Sequence, residues 1–487
     1  MDIKSIDKIV SLCKRRGFIF QSSEVYGGLA STWDYGHLGV ELKRKLKNDW
    51  WQNIVTSRDN VVGMDAAILM HPKVWEASGH VENFNDPLVD NKDTKKRYRL
   101  DHLLEGQKPE VVESLTNTIF KDNPPEFASE EDHIVILTQH LNDLGETGGS
   151  LLKDSGVRDP HSGAVGNWTN PRQFNLMFQT HIGPTQDSSS IAYLRPETAQ
   201  GIFVNFANVQ TTSRQKLPFG IAQMGKSFRN EITTGNFLFR TREFEQMELE
   251  FFVHLDDTRK WLEYWSNERL EWFKSLGITP EKLRLRAHGG DELAHYSSAC
   301  YDVEYQFPFG WSELEGIADR GTFDLDQHNA HAEKKQSYFD PQLNQHVVPA
   351  VVESSAGVDR AFLTVLVDAY REEEVNGEKR VLLKLAPKLA PITCAVFPLM
   401  NKGEQVEKAE ALVKEVRKEF SGFIDTGGSI GKRYRRQDEA GTPYGITVDH
   451  QTMEDNTVTI RDRDTMKQER ISIDNILDDL RTRINAS

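Results

Sequence analysis

Between Gly225 and Phe252 the chain reads GKSFRNEITTGNFLFRTREFEQMELEFF. The run Phe228-Arg229-Asn230-Glu231 suits a strand, Gly235 and Asn236 suit the loop after it, and a second, charge-rich strand returns. Alternate residues of a strand share one face. The even positions Arg240, Arg242, Phe244, Gln246, Glu248 and Glu250 then put two guanidinium groups, a ring, an amide and two carboxylates on one side. The odd positions Met247, Leu249, Phe251 and Val253 offer the other side to a core. Guanidinium forks hold phosphoryl and carboxylate oxygens, a ring stacks on a flat base, and carboxylates receive an ammonium. The chemistry this face suits is the holding of something phosphorylated, aromatic and amino-bearing. The plain alternative is a solvent-exposed hairpin with cross-strand ion pairs.

A second constellation lies at VVPAVVESSAGVDRAFLTVLVDAY, residues 347–370. It reads as strand, turn and helix, with Ser354-Ser355-Ala356-Gly357 as the turn and Arg360 in the first helical turn. A helix N-terminus with small residues suits an anion. Glu313, in FPFGWSELEGIADR, alternates with Trp311 and Glu315 along one expected strand face; the alternative is a partly buried Glu313 paired with Arg320. His288 and His295 have no carboxylate or cysteine at metal-ligand spacing and read as structural. Gly431-Lys-Arg-Tyr-Arg-Arg436 is a compact basic and aromatic cluster, of the kind that contacts single-stranded RNA or simply forms a solvated turn.

These groups need elements to carry them. Lys4–Arg16 reads as a short helix. Leu38, Leu42, Leu46, Trp50 and Ile54 recur at i,i+4 and predict an amphipathic helix within 33–54, with Lys43, Arg44, Lys45 and Lys47 on its solvated side. Val61–Met70 reads as a strand ending at His71-Pro72. Residues from about 87 to 166 change character: charge rises, Pro and acids accumulate, and Gly145–Gly166 reads as loop. Leu385–Pro391 carries two prolines and reads as a linker to a separate α/β unit. A chain of 487 residues has room for two or three domains. It contains no apolar run long enough for a membrane span, and its first twenty residues lack the pattern of a signal peptide. Three dispersed cysteines predict no disulfide framework and a reducing compartment. The formal charge of −15 disfavours general nucleic-acid binding while leaving room for a local basic patch.

The hairpin resembles motif 2 of the class II aminoacyl-tRNA synthetases, and FRNEI…TREFEQMELEFF resembles their glycyl branch. TWDYGHLGVELKRKLKNDWW, RYRLDHLL, NPRQFNLMFQT, LRPETAQGIFVNF, ELAHYSSACYDVEY, FPFGWSELEGIADR and LAPITCAVFPL carry the same resemblance, in family order, over nearly the whole chain. The resemblance implies an α+β fold: an antiparallel-sheet catalytic domain (1–86 with motif 1, and 167–386 with motifs 2 and 3), an insertion (87–166), and a C-terminal α/β anticodon-binding domain (390–487). It implies ATP-dependent attachment of glycine to the 3′ end of tRNA(Gly) through a glycyl-adenylate, in the cytoplasm. The partners it implies are tRNA(Gly), glycine, ATP with Mg²⁺, and a second copy bound through the motif 1 region around Pro72; no membrane is involved. Some relatives carry a zinc-binding cysteine cluster near the insertion. None occurs in this chain, so no structural zinc is expected. Gly289 stands where the family usually has Glu.

The resemblance also distributes roles. Arg229 and Arg360 would be catalytic, on the α- and γ-phosphates. Glycine would meet Glu197, Glu248 and Glu353 through its ammonium, with Ser354, Ser355, Ala356 and Gly357 around it. The run Phe244, Glu245, Gln246 and Met247, and Arg99 in RYRLDH, complete that set, although basic runs such as 95–99 are usually solvated. ATP would meet Arg229, Asn230 and Glu231, then Phe239, Arg240, Thr241, Arg242, Glu243 and Phe244. Glu313 and Leu314, then Gly357, Val358, Asp359 and Arg360, finish the nucleotide set, with Glu313 also a Mg²⁺ ligand. Lys432, Arg433, Arg435 and Arg436 would contact tRNA. Pro196 stiffens the backbone beside Glu197. The rival readings are a class II enzyme for serine, threonine, proline or histidine, and a catalytically dead paralogue that binds nucleic acid. The RPETAQGIF string and the three glutamates argue against the first, and the retained Arg229, Glu231, Phe244, Glu313 and Arg360 against the second.

Overall fold

Met247, Leu249, Phe251 and Val253 turn to one side of the Glu243–Val253 strand and are fully buried, while Phe244, Gln246, Glu248 and Glu250 turn to the other. The alternation therefore builds the element that the sequence requires. The structure is a computed structural model that describes residues 5–121, 124–125, 127, 129–184, 190–232, 235–289, 298–341 and 343–485. The strand lies inside a seven-stranded sheet. Its spatial order is Leu283–Ala287, Ala299–Phe307, Gly310–Gly321, Ala350–Gly357, Glu243–Val253, Phe219–Phe228, Val61–Gly63. Neighbours are antiparallel except at the last pair, where Val61–Gly63 runs parallel to Phe219–Phe228.

Three helices cover the apolar side: His37–Trp51, Thr258–Ser275 and Val358–Ala369. The stripe Leu38, Leu42, Leu46, Trp50 and Ile54 is buried there as its spacing requires. Its lysines are not a solvated face. Lys43 pairs with Glu245 and Asp359, each at 3.1 Å, Lys47 also pairs with Glu245, and Lys45 reaches the Ala390 carbonyl. The acids of a neighbouring strand and helix supply these partners, and helical periodicity cannot reveal them.

Several other elements differ from expectation. Ser354–Gly357 is not a turn. The strand continues to Gly357, because both neighbours pair with it (Gln246 opposite Gly357, Glu315 opposite Ala356), and the helix starts directly at Val358. The Val61 strand stops at Gly63. Gly145–Gly166 is not all loop: a helix spans Gly148–Asp154, and its Gly148 and Gly149 approach Pro171 and the Thr169 carbonyl too closely for a side chain. The insertion has its own core, including Val89, Leu103, Leu137 and Trp168, under a small sheet ordered Arg97–Arg99, Asn85–Asp90, Arg172–Asn175.

The C-terminal unit has a five-stranded sheet in the order Gly422–Ile424, Cys394–Pro398, Tyr444–Val448, Thr457–Asp462, Gln468–Ser472. The first three strands are parallel and the last two join antiparallel. Leu385, Leu389 and Ala390 are buried, so the preceding segment is packed and not a free tether.

Candidate active site

The polar face of the sheet opens into a cavity of about 370 Å³. Arg229 follows the end of the Phe219–Phe228 strand. Its Nε donates to the Pro196 carbonyl at 3.0 Å, and its guanidinium lies between the rings of Phe84 and Phe244, 5.4 Å from each centroid. Arg360, in the first turn of the Val358–Ala369 helix, faces it from the other side. Its Nε donates to the Phe239 carbonyl at 3.2 Å, its Nη1 lies 3.1 Å from Glu313, and its guanidinium covers the Phe239 ring at 4.4 Å. Two pre-positioned guanidinium groups with aromatic faces beside them form a cradle for a nucleotide phosphate chain and base.

At the other end of the cavity, acids converge. Glu197 lies 3.3 Å from His80 Nε2 and accepts from Gln200 at 3.1 Å. Glu353 accepts from Arg320 at 2.7 Å, and Arg320 also forks onto Asp324. Glu248 accepts from the Thr198 hydroxyl. Gln246 binds the Thr198 and Ser227 side of the wall through Oε1 and donates to Ser355 at 3.2 Å. Burial opposes ionisation of Glu197, yet His80 and Arg320 hold its carboxyl well below the usual carboxylate range. Burial, then the Glu353 and Glu197 charges, push Glu248 up to about 8. Burial also raises Glu353, against the pull of Arg320. A pocket holding this many carboxyls is one that a bound ammonium stabilises.

The structure brings Glu197, Arg229, Glu231, Phe239, Arg240, Thr241, Phe244, Gln246, Glu248, Glu313, Glu353, Ser355, Gly357, Asp359 and Arg360 to this cavity. Other expected residues are elsewhere. Glu245 and Met247 are on the opposite face by strand parity, Glu245 against Lys43 and Lys47 and Met247 in the core. Ser354 and Ala356 alternate away from Ser355, with Ser354 donating to buried Glu315. Arg242 is turned onto the Glu231 and Ala30 carbonyls, and Glu243 pairs with Lys226 at the surface. Leu314 and Val358 are core residues, and the Asn230 backbone N–H binds the Leu176 carbonyl. Asp359 lines the cavity, but its carboxylate is occupied by Tyr35, Lys43 and the Glu245 backbone.

Arg99 is not beside the acids. It pairs with Asp86 and Asp101 in an adjoining cavity of about 230 Å³, which shares Arg229, Glu231 and Arg240 with the main one. Trp311, Glu313 and Glu315 do not share a face. Leu314 is an extra residue in the register between Glu313–Glu304 and Glu315–Val303, and this bulge sends Glu313 to the cavity and Glu315 into the core with Arg269.

Sequence spacing missed another group. His288, Cys300 and Asp302 offer donor atoms all within 4.8 Å of one another on the cavity wall, with His288 Nε2 at 2.7 Å from Asp302. His288 follows the Leu283–Ala287 strand and Cys300 lies on the next strand, Ala299–Phe307; pairing of the two strands brings them together. His295 lies outside the described residues.

In the C-terminal unit, GKRYRR is the start of the Ile430–Ala440 helix, not a turn. Arg433 is buried, donating to the Pro398, Thr426 and Gly428 carbonyls, so it braces the fold and cannot meet RNA. Arg436 is committed to Asp425 at 2.8 Å. Lys432 is exposed and Arg435 half-buried.

Comparison with known proteins bears on the same three regions. Residues 179–377 match the tRNA synthetase class II core domain (G, H, P, S and T), residues 86–176 the glycyl-tRNA synthetase insertion domain 1, and residues 393–483 the anticodon binding domain. The glycine–tRNA ligase of Chlorobaculum tepidum is 49% identical over 480 residues, covering 98% of this chain and all of that protein. That of Thermus thermophilus is 48% identical over 512 residues, covering 99% and 100%. A prolyl-tRNA synthetase from Cryptosporidium parvum, solved with L-proline and AMP, superposes with a TM-score of 0.61 at 12% identity over 98% of this chain and 74% of that one, a likeness of fold. With relatives of this similarity along its whole length, and a core, an insertion and a terminal domain matched in order, the chain belongs to the glycine–tRNA ligase family of class II aminoacyl-tRNA synthetases.

Proposed function

We propose that the chain activates glycine with ATP and transfers it to the 3′ end of tRNA(Gly). The observation that carries this is the juxtaposition of a carboxyl-lined pocket with the Arg229–Arg360 cradle in one cavity. Glycine's ammonium enters among Glu197, Glu248 and Glu353. One oxygen of its carboxylate attacks the α-phosphorus, the bond to the bridging oxygen breaks, and pyrophosphate leaves. Arg229 stabilises the charge that develops on the α-phosphate, and Arg360 receives the leaving group. A tRNA ribose hydroxyl then attacks the adenylate carbonyl and AMP departs. Holding the reactants in line supplies much of the rate.

The donor set fits Mg²⁺: Glu313 and Asp302 present hard carboxylate oxygens near Gly316, each 3.9 Å from where a Cβ on that glycine would sit. When bound, the ion neutralises charge on the triphosphate. The chain acts as a homodimer through the region around Pro72, which starts a helix after His71 and follows the outermost strand of the sheet. No helix among the described residues is long and apolar enough to cross a membrane. The three free cysteines fit a cytoplasmic setting. Arg99 contributes from its adjoining cavity, and Lys432 and Arg435 contact tRNA.

ATP–pyrophosphate exchange with each amino acid, followed by charging of tRNA(Gly), tests the proposal. Glycine alone should support exchange. Exchange driven by serine, threonine or proline, or no exchange at all, would overturn it.

A further inference from the structure

Glu250 lies two residues beyond Glu248 on the same strand face and directly opposite Glu353 in the neighbouring strand. Its side chain is fully buried, and neither of its carboxyl oxygens meets a hydrogen-bond donor among the described residues. One oxygen from each of Glu248, Glu250 and Glu353 lies within 4.8 Å of the other two. The remaining charged groups that face Glu250 are Arg320 from the Gly310–Gly321 strand and Asp324 from the Phe323–His331 helix, and Arg320 is already forked onto Asp324 and Glu353. Across the other edge of the strand its neighbour is apolar Ile221. Glu250 lies beneath the cavity and is not part of its lining.

A bare carboxylate in this position would have lone pairs without donors and two like charges beside it, which is a costly arrangement. A carboxylic acid needs only one acceptor for its O–H, and the cross-strand Glu353 is one. We propose that Glu250 is a positioning residue of the amino-acid pocket: a neutral carboxylic acid that donates to Glu353 and holds it at the spacing that receives the glycine ammonium. The direction of its ionisation agrees, since burial first, and then Glu353 and Glu248, drive its carboxyl far above the usual range. With Arg320 on one side of Glu353 and an acid O–H on the other, that carboxylate is fixed without a second cation, which would repel the substrate.

The inference rests on the assignment of Glu197, Glu248 and Glu353 to the ammonium, so Glu248→Gln is measured in parallel. KM for glycine and for ATP is read by pyrophosphate exchange, together with a thermal melt. Glu250→Gln keeps an uncharged donor of the same shape and should leave the glycine KM within about threefold of the parent, whereas Glu250→Met keeps length without a donor and should raise it roughly tenfold with the ATP KM unmoved. In a Glu248→Gln background, which removes the other strongly raised acid, adding Glu250→Gln should delete a protonated-acid carbonyl stretch from the infrared spectrum at neutral pH, a reading that does not depend on the methionine variant folding. A glycine KM for Glu250→Gln as high as that of Glu248→Gln would make Glu250 a charged substrate contact. A parental glycine KM for Glu250→Met would make it filler. Loss of a carboxylate band instead, on adding Glu250→Gln, would show it ionised. Each of these overturns the inference alone. If Glu248→Gln instead weakens ATP and spares glycine, the pocket assignment falls and this inference falls with it.

Discussion

Arg229 and Arg360 reach the cavity from different elements, and backbone carbonyls orient both before any ligand arrives. Replacing either with alanine removes a charge aimed at the phosphate chain, so glycine-dependent pyrophosphate exchange should fall about 10²–10³-fold with the melting temperature little changed. A near-normal rate in either variant would remove that residue from the chemistry. The acids at the other end make a separate prediction. Glu197→Gln and Glu353→Gln keep shape and lose charge, and a buried ammonium deprived of one ionic partner is weakened by roughly 1–3 kcal/mol. The glycine KM should therefore rise about tenfold or more, with the ATP KM moving little. Alanine should stay excluded, because steric clash rejects it. Glu248 adds a pH dependence. Its carboxyl is raised in the fold to about 8 from an ordinary 4.5. It binds its proton more tightly when folded, so its stabilisation is complete below the ordinary value and is lost as pH rises through the raised one. Melts of the glycine-free protein at about pH 6 and about pH 9 should differ less for Glu248→Gln than for the parent. An equal loss in both would show that Glu248 does not carry this titration.

At the scale of elements, the site depends on one irregularity and on close backbone packing. Without the bulge at Leu314, parity would carry Glu315 to the cavity and leave Arg269 buried without its partner. The His37–Trp51 helix supports the sheet from below, and it lies close because Gly39 packs on the Phe18 backbone. A Cβ there would sit 2.0 Å from the Phe18 carbonyl oxygen. Gly39→Ala should cost about 1–3 kcal/mol of stability, because backbone cannot yield as a side-chain tip does. Gly235→Ala, where a Cβ meets no atom within 4 Å, is the matched control. Denaturant melts compare the two, and equal midpoints would mean that the helix shifts freely.

At the scale of the whole molecule, the catalytic and terminal units share buried and partly buried contacts. Arg380 donates to Asp438 at 2.8 Å, Arg463 to the Leu385 carbonyl at 2.9 Å, and Arg16 to Glu439 at 2.6 Å. The two prolines near 390 suggest a chain that can be cut near Lys388 and still form adenylate. The contacts argue otherwise, because the cut would remove the Asp438 and Arg463 partners of Arg380 and uncover buried Leu383 and Leu385, which pack against Gly441. The cleaner probe is Lys432→Ala with Arg435→Ala. It should leave pyrophosphate exchange intact, weaken tRNA binding, and lower its salt dependence by about one to two released counterions. Full charging at unchanged salt slope would place the RNA contact elsewhere. Arg433 is unsuitable for this test, since its removal would unfold the helix end that it braces.

Local pattern determined a good deal by itself. Strand alternation separated Phe244, Gln246 and Glu248 from Met247, Leu249 and Phe251, because side-chain direction in a strand follows from position alone. Helical spacing likewise marked the buried stripe from Leu38 to Ile54, and the motif strings marked the family. Contiguous strings did not distinguish the two faces, and the side chains of Glu245, Met247, Ser354 and Ala356 turn away from the cavity. Only the tertiary structure decided what depends on register between paired strands: the flip at Leu314, the meeting of His288, Cys300 and Asp302, and the placing of Glu250 opposite Glu353. It also decided which charges are spoken for. A lysine or arginine looks the same in sequence whether it faces water, a sequence-remote acid or buried carbonyls, as Lys47 on Glu245 and Arg433 on Pro398 show. Burial and partnership are properties of the packed chain, and one-dimensional periodicity contains neither.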